Sequence, residues 1–287
     1  IIAAEVTFTY RQLLDLSAGV AGKLLDGADD LREARVAFLI PSGIHYVATQ
    51  WGVWRAGGIA VPLCTQHPAP ELEYVLADSQ ASIVVAHPMY ETRLRPIAEK
   101  LGLRFLLTGE SGMGKLPELS PERRAMMVYT SGTTSKPKAV VTTHANLEAQ
   151  IASLVTAWEW TQDDHILHVL PLHHVHGIVN VLLCALSSGA TCEMLPEFDA
   201  EKVWDRLAAR ELLTDVSCDV VPIDAALVGE VVPVNAEITE VPGLSAHAGP
   251  GDILRWLRSI GETPDRVFLV HGEPPAQSAL QSSIRQE

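Results

Sequence analysis

The chain has 287 residues, 47% of them hydrophobic, with a mean hydropathy of +0.16, which supplies a core for one large or two modest domains and excludes a disordered chain. A formal net charge of −14 opposes nonspecific attraction to nucleic acid or anionic lipid. The longest apolar stretch, around Ile178 to Leu186, contains Asn180 and falls short of the ~18 residues that a membrane span needs.

The first 210 residues alternate helix-like and strand-like segments. Thr9 with Gln12 forms a capping-box signature, and Leu13, Leu16, Val20 and Leu24 recur at helical spacing until Gly27 ends the run. Arg35 to Ile40 reads as a buried strand and the segment from Pro41 to Ala56 as a helix. The pattern continues through a strand at Ile59 to Pro62, a helix at Glu71 to Asp78, a strand at Ser82 to Ala86, a helix after His87 and a strand at Leu103 to Leu107. Ser111 to Ser120, rich in glycine and flanked by prolines, crosses the surface. Ala125 to Val128 is a strand, Val140 to Thr143 a short strand, Ala145 to Trp158 a helix, Ile166 to Leu170 a strand and Ala200 to Arg210 a helix. Apolar strands separated by single helices predict a layered α/β fold with a mostly parallel sheet covered by helices.

Between Val128 and Val140 lies Tyr129-Thr130-Ser131-Gly132-Thr133-Thr134-Ser135-Lys136-Pro137-Lys138-Ala139. Free backbone N–H groups, hydroxyl donors and an ammonium on one turn can wrap a polyphosphate without a deep cavity. The alternative is a Ser/Thr-rich surface turn. The G-x-x-x-x-G-K-[ST] spacing of a Walker loop is absent.

The run resembles the T-S-G-T-T-G-x-P-K-G phosphate-binding signature of the adenylate-forming superfamily. Leu170-Pro171-Leu172-His173-His174-Val175-His176-Gly177, Trp158-Glu159-Trp160, Leu195-Pro196-Glu197-Phe198 and Trp51 to Leu63 are similar to the malonyl-CoA synthetases within it. The similarity runs from about Thr7 to about Arg210. It implies an ATP-dependent acid–CoA ligase: a small carboxylic acid and the nucleotide form an acyl-adenylate, and the acyl group then passes to coenzyme A, with ATP, Mg2+ and coenzyme A as cofactors. By that resemblance Thr130, Ser131, Gly132, Thr133, Thr134 and Lys138 contact the ATP phosphates, while His173, His174 and His176 line the acyl or pantetheine channel. A zinc reading of those histidines lacks an interleaved carboxylate. No protein nucleophile is required and no catalytic side chain is assigned. Ser135 and Ala139 stand where the family usually has glycine, and a side chain where φ > 0 is needed costs on the order of 1 kcal/mol.

Composition changes after residue 210. Residues 211–287 carry 12 acidic side chains and 4 arginines, and no lysine follows Lys202. Within this tail, Val231 to Val241 alternates as a strand, Asp252 to Ser259 reads as a short helix, Val267 to Val270 as a buried strand and Pro275 to Arg285 as a helix. Gly243-Leu244-Ser245-Ala246-His247-Ala248 and Val267-Phe268-Leu269-Val270-His271-Gly272-Glu273-Pro274 resemble the C-terminal RNA-specificity segment of β-CASP metallo-β-lactamase-fold nucleases. That resemblance implies metal-facing roles for His247 and His271, with Zn2+ as the ion, although the H-x-H-x-D-H run that completes such a site is absent.

The expected organisation is a partial synthetase N-terminal domain over 1–210, a junction over 211–227 and a small α/β segment over 228–287. The family's adenine-binding Y-G-x-T-E segment and C-terminal lysine are absent, so the ligase is expected to be incomplete in this chain. The alternatives are a fragment of a zinc-dependent RNA hydrolase and a non-catalytic fusion with residual nucleotide binding. Nucleic acid is not an expected partner, since an acidic, lysine-free tail is a poor RNA platform. Unpaired strand edges predict self-association. Cys64, Cys184, Cys192 and Cys218 form no C-x-x-C pair and read as buried thiols of a reducing cytoplasm or organelle matrix. The chain starts Ile1-Ile2, and no signal peptide is visible.

Overall fold

The computed structural model describes residues 1–3, 6–130, 137–199, 202–203 and 206. From the amino end, β1 (Ile2–Ala3) and β2 (Val6–Thr7) precede α1 (Tyr10–Leu25), followed by β3 (Arg35–Leu39), α2 (Ile44–Arg55), β4 (Ile59–Pro62) and α3 (Ala69–Asp78). Next come β5 (Ile83–Ala86), α4 (Glu91–Leu101), β6 (Arg104–Leu107), β7 (Arg124–Thr130), β8 (Lys138–Thr143) and α5 (His144–Ala157). The series closes with β9 (His165–His168), a π-helical segment His176–Leu183, α6 (Cys184–Ser188) and β10 (Thr191–Met194). The expected elements are present to within a few residues at their ends. The Ala200 to Arg210 helix and the whole tail fall on or beyond the edge of the described residues, where Lys202, Val203 and Arg206 are helical.

Two sheets form instead of one. The larger has the order β6-β5-β3-β4-β7-β8, the smaller β2-β1-β10-β9. Pairing is parallel except for the antiparallel β7–β8 and β1–β2 pairs. The pairing is thus mostly parallel, as expected, and the two exceptions fall where a short connection can only return the chain antiparallel.

Period-two alternation sorts the larger sheet's side chains. Val36, Phe38, Ala60, Ile83, Val85, Met126 and Val128 point into a core shared with α1, α2, the π-helical segment and the smaller sheet. Ala37, Leu39, Ile59, Val61, Val84, Ala86 and Met127 enter a second core under α3 and α4. Strands buried on both faces read as uninterrupted apolar runs, which is why they were visible in the sequence.

Helix α1 begins at the expected capping box: Thr9 Oγ1 accepts from Gln12 N at 3.2 Å, and Gln12 Oε1 accepts from Thr9 N at 2.8 Å, a device worth ~1 kcal/mol. Its inward stripe is Leu13, Ser17, Ala21 and Leu24, whereas Leu16 is exposed. The shift has a cause: α1 packs against α2 at Gly52, where an added Cβ would stand 2.6 Å from Val20 Cγ1. Arg55 crosses the same seam and donates to Ser17 Oγ at 2.7 Å.

Candidate functional site

The chain leaves β3 for α2 on one face of the larger sheet and leaves β4 for α3 on the other. Adjacent strands whose connections depart to opposite faces open a crevice at their carboxyl ends, where α/β sheets bind ligands. A cavity of about 160 Å³ lies there, walled by Ser42 after β3, Leu63 and Thr65 after β4, Leu170 and His173 after β9, and Phe198 after β10. Strand ends from both sheets thus meet at one opening. Sequence reasoning missed Ser42, Thr65 and Gln66, because a switch point is a property of strand order.

The wall formed by residues 169–177 is held from two sides. Tyr46 Oη, buried on α2, donates to the Leu172 carbonyl at 2.7 Å. His168 Nε2 lies 2.9 Å from the Gly177 carbonyl, which fits the tautomer protonated at Nε2. Gly177 is required by close approach, since a Cβ there would stand 2.5 Å from the Pro171 oxygen.

The expected channel histidines are only partly brought together. His173 and His174 lie with ring centroids 4.1 Å apart, and His67 approaches His173 at 6.2 Å. His176 stands apart, with Nδ1 accepting from Asn180 Nδ2 at 3.1 Å. Burial, then the neighbouring imidazoles of His174 and His67, push His173 down to about 4, and burial followed by His67 lowers His174. His173 and His174 therefore form a neutral wall at pH 7. Among the described residues no group of three or more His, Cys, Asp or Glu side chains is placed to hold a metal ion. His247 and His271 lie outside the described residues.

The Thr/Ser/Lys run sits between β7 and β8. Tyr129 pairs with Ala139 and Thr130 with Lys138, so β7 and β8 are the two arms of a hairpin whose described residues end at Thr130 and resume at Pro137. Thr130 and Lys138 are exposed at its base, and Thr130 Oγ1 faces the Lys138 carbonyl at 3.4 Å. Ser131, Gly132, Thr133, Thr134 and Ser135 lie outside the described residues. The strain anticipated at Ala139 is absent. The non-glycine residues of positive φ among those described are Asp26, Arg32, Glu33, Gln80 and Glu159, and Ala139 is an ordinary strand residue.

Parallel pairing of Ala60 with Met126 puts the far end of β7 at the same edge as the carboxyl end of β4. Arg123 fixes that register by donating to the Gly57 carbonyl at 2.7 Å and to Asp30 Oδ1 at 2.9 Å, which holds the Asp30 carboxyl below its usual range. Cys64, Cys184 and Cys192 are buried free thiols. Burial pushes Cys184 up to about 11 and Cys192 up to about 12, so neither is a nucleophile.

A layered α/β fold with an exposed Thr/Lys hairpin at the carboxyl edge of a parallel sheet is the architecture of an acyl-CoA synthetase N-terminal domain. Residues 1–223 match the family model of the AMP-binding enzymes, and the chain belongs to that family. Over 217 residues it is 48% identical to human mitochondrial malonate–CoA ligase ACSF3, covering 71% of this chain and 38% of that protein. It is 37% identical over 205 residues to malonate–CoA ligase of Arabidopsis thaliana, covering 66% and 34%. Among solved structures, apo MatB from Rhodopseudomonas palustris aligns with a TM-score of 0.65 at 28% identity, covering 72% of this chain and 44% of that one. The chain thus spans well under half the length of these relatives. Residues 231–287 match a second, short family model, the Zn-dependent metallo-hydrolase RNA specificity domain.

Proposed function

We propose that residues 1–210 carry the nucleotide-phosphate half of an ATP-dependent acid–CoA ligase acting on a small carboxylic acid, malonate by analogy with the relatives. The observation that carries this reading is the β7–β8 hairpin, which presents Thr130 and Lys138 together at the carboxyl edge of the sheet. In such a reaction a carboxylate oxygen bonds to the α-phosphorus as pyrophosphate leaves, and a coenzyme A thiol then displaces AMP from the acyl carbon. The chain's part is charge neutralisation and positioning: Lys138 pairs with phosphate oxygens, and the Thr130, Ser131, Thr133 and Thr134 hydroxyls with the Gly132 amide complete the cradle. Mg2+ would enter with the nucleotide and shield the phosphates. The neutral wall of His173 and His174 suits the uncharged pantetheine chain rather than the free carboxylate of a malonyl group.

Titration calorimetry with ATP and Mg2+ tests this. Lys138→Ala is expected to weaken binding at least about tenfold, ~1.4 kcal/mol. Wild-type protein indifferent to ATP, and silent for pyrophosphate release with malonate, would end the reading. ATP binding without turnover would instead favour the non-catalytic alternative.

The match over 231–287 supports a second reading, a zinc-dependent RNA hydrolase segment over 228–287 with His247 and His271 toward the metal, joined through 211–227. Elemental analysis is the check. Protein that retains its fold and carries no zinc removes it. The mitochondrial location of the human relative supports a matrix or cytoplasmic setting. Among the described residues no helix is long and apolar enough to cross a membrane.

A further inference from the structure

We propose that Tyr74 and Asp78 of α3 are positioning residues for the phosphate loop, tethering both of its ends from one helix. The inference rests on the nucleotide reading above and adds the side chains that aim the loop. Tyr74 Oη donates to the Pro137 carbonyl at 3.1 Å, and Tyr129 Oη donates to Asp78 Oδ2 at 2.8 Å. Tyr129 and Pro137 flank the Thr130–Lys136 stretch on its two sides. Tyr74 and Asp78 are four residues apart, so one flank of α3 carries both tethers.

The hairpin needs them. β8 is the edge strand of its sheet, and Lys138, Ala139, Val140 and Val141 are exposed on it, so packing does not set its tilt. Pairing with β4 and burial of Ala125 to Val128 fix β7 up to Val128, but neither sets the course of the pair beyond it, from Tyr129 and Ala139 to the loop ends. Helix α3, by contrast, is anchored by Leu72, Val75 and Leu76, all buried in the core beneath it. A rigid helix bonded to both ends of the loop transfers its own position to the cradle, and displacements near 1 Å are enough to spoil a polydentate anion site. Burial, then the Asp78 carboxylate, raises the titration of the Tyr74 phenol; burial, the Tyr129–Asp78 hydrogen bond and the Asp78 charge raise that of Tyr129. Both phenols therefore stay protonated donors at neutral pH.

The Tyr129–Asp78 bond is exposed and the Tyr74–Pro137 bond only part-buried, and each is a single hydrogen bond at the sheet edge, so together they contribute little to global stability. That separates aiming from folding. Tyr74→Phe, Asp78→Ala and the double variant are to be compared with wild type in three measurements: thermal midpoint, amide exchange at Thr130 and Ala139, and titration with ATP and Mg2+. The expected result for the double variant is an unchanged midpoint, exchange roughly tenfold faster at both amides and ATP affinity roughly tenfold weaker. Asp78→Asn, which keeps an acceptor for Tyr129, should restore most of the affinity that Asp78→Ala loses. Wild-type affinity in the double variant overturns the proposal, and so does a loss of affinity that tracks a fall in the midpoint. If the wild type itself does not bind ATP, the nucleotide reading fails, and the exchange rates decide the tethers alone: unchanged exchange overturns them.

Discussion

The two sheets are assembled from different reaches of the chain. The larger takes all six strands from residues 35–143 in a run of short returns, whereas the smaller joins the first seven residues to strands between 165 and 194. Except for β7, each strand of the larger sheet has a helix next to it in sequence, so local pattern and final environment agree over most of that sheet. The smaller sheet gains its amino-terminal strands only because Ile2 and Ala3 find Glu193 and Met194 across almost the whole described chain. One sheet is a product of local pattern, the other of long-range closure.

The largest test of that contrast lies where both sheets share a core. Phe38 is buried on β3, with its ring 5.2 Å from Tyr46 in an edge-to-face pair, and it packs in the cluster that also contains Cys192 and Met194. Phe38→Ala is expected to cost about 3–5 kcal/mol in denaturant unfolding and to release both sheets in a single transition. Two separated transitions would show that the sheets fold independently. A smaller effect should be confined to the closure. Tyr10 Oη donates to the Ala190 carbonyl at 2.8 Å, linking α1 to the start of β10. Tyr10→Phe should cost ~1 kcal/mol and speed amide exchange at Ile166 and Glu193 while sparing Val36 and Val84. Equal acceleration in both sheets would break the distinction.

The smallest effect concerns pH. His173 is pushed down to about 4, mainly by burial, from an unfolded value near 6.5. The unfolded chain therefore takes up this proton first as pH falls. The associated stability is complete above about 6.5 and is lost as pH drops toward 4. His173→Gln should flatten the fall in urea midpoint between pH 7 and pH 4.5, and an unchanged slope would move the effect to other histidines.

The hydroxyl-rich turn was legible because its chemistry is written in contiguous residues: hydroxyls, glycine and lysine within one short stretch. The crevice was not, because Ser42, Thr65, Leu170 and Phe198 are spread over more than 150 residues and meet only through strand order. Ser17 takes the inward place expected of Leu16 for a similar reason. Spacing marks a helical stripe, but the approach of α2 at Gly52 decides which neighbour faces inward.

Residue order alone determined the caps, the apolar strand runs and the hydroxyl-rich turn, since these depend on side chains within a few positions of one another. Tertiary structure alone decided that there are two sheets, that their carboxyl ends converge on one cavity, and that α3 reaches across to both ends of the loop. Those outcomes depend on which distant surfaces bury each other, and the free energy of that burial belongs to pairs of elements and to no single segment.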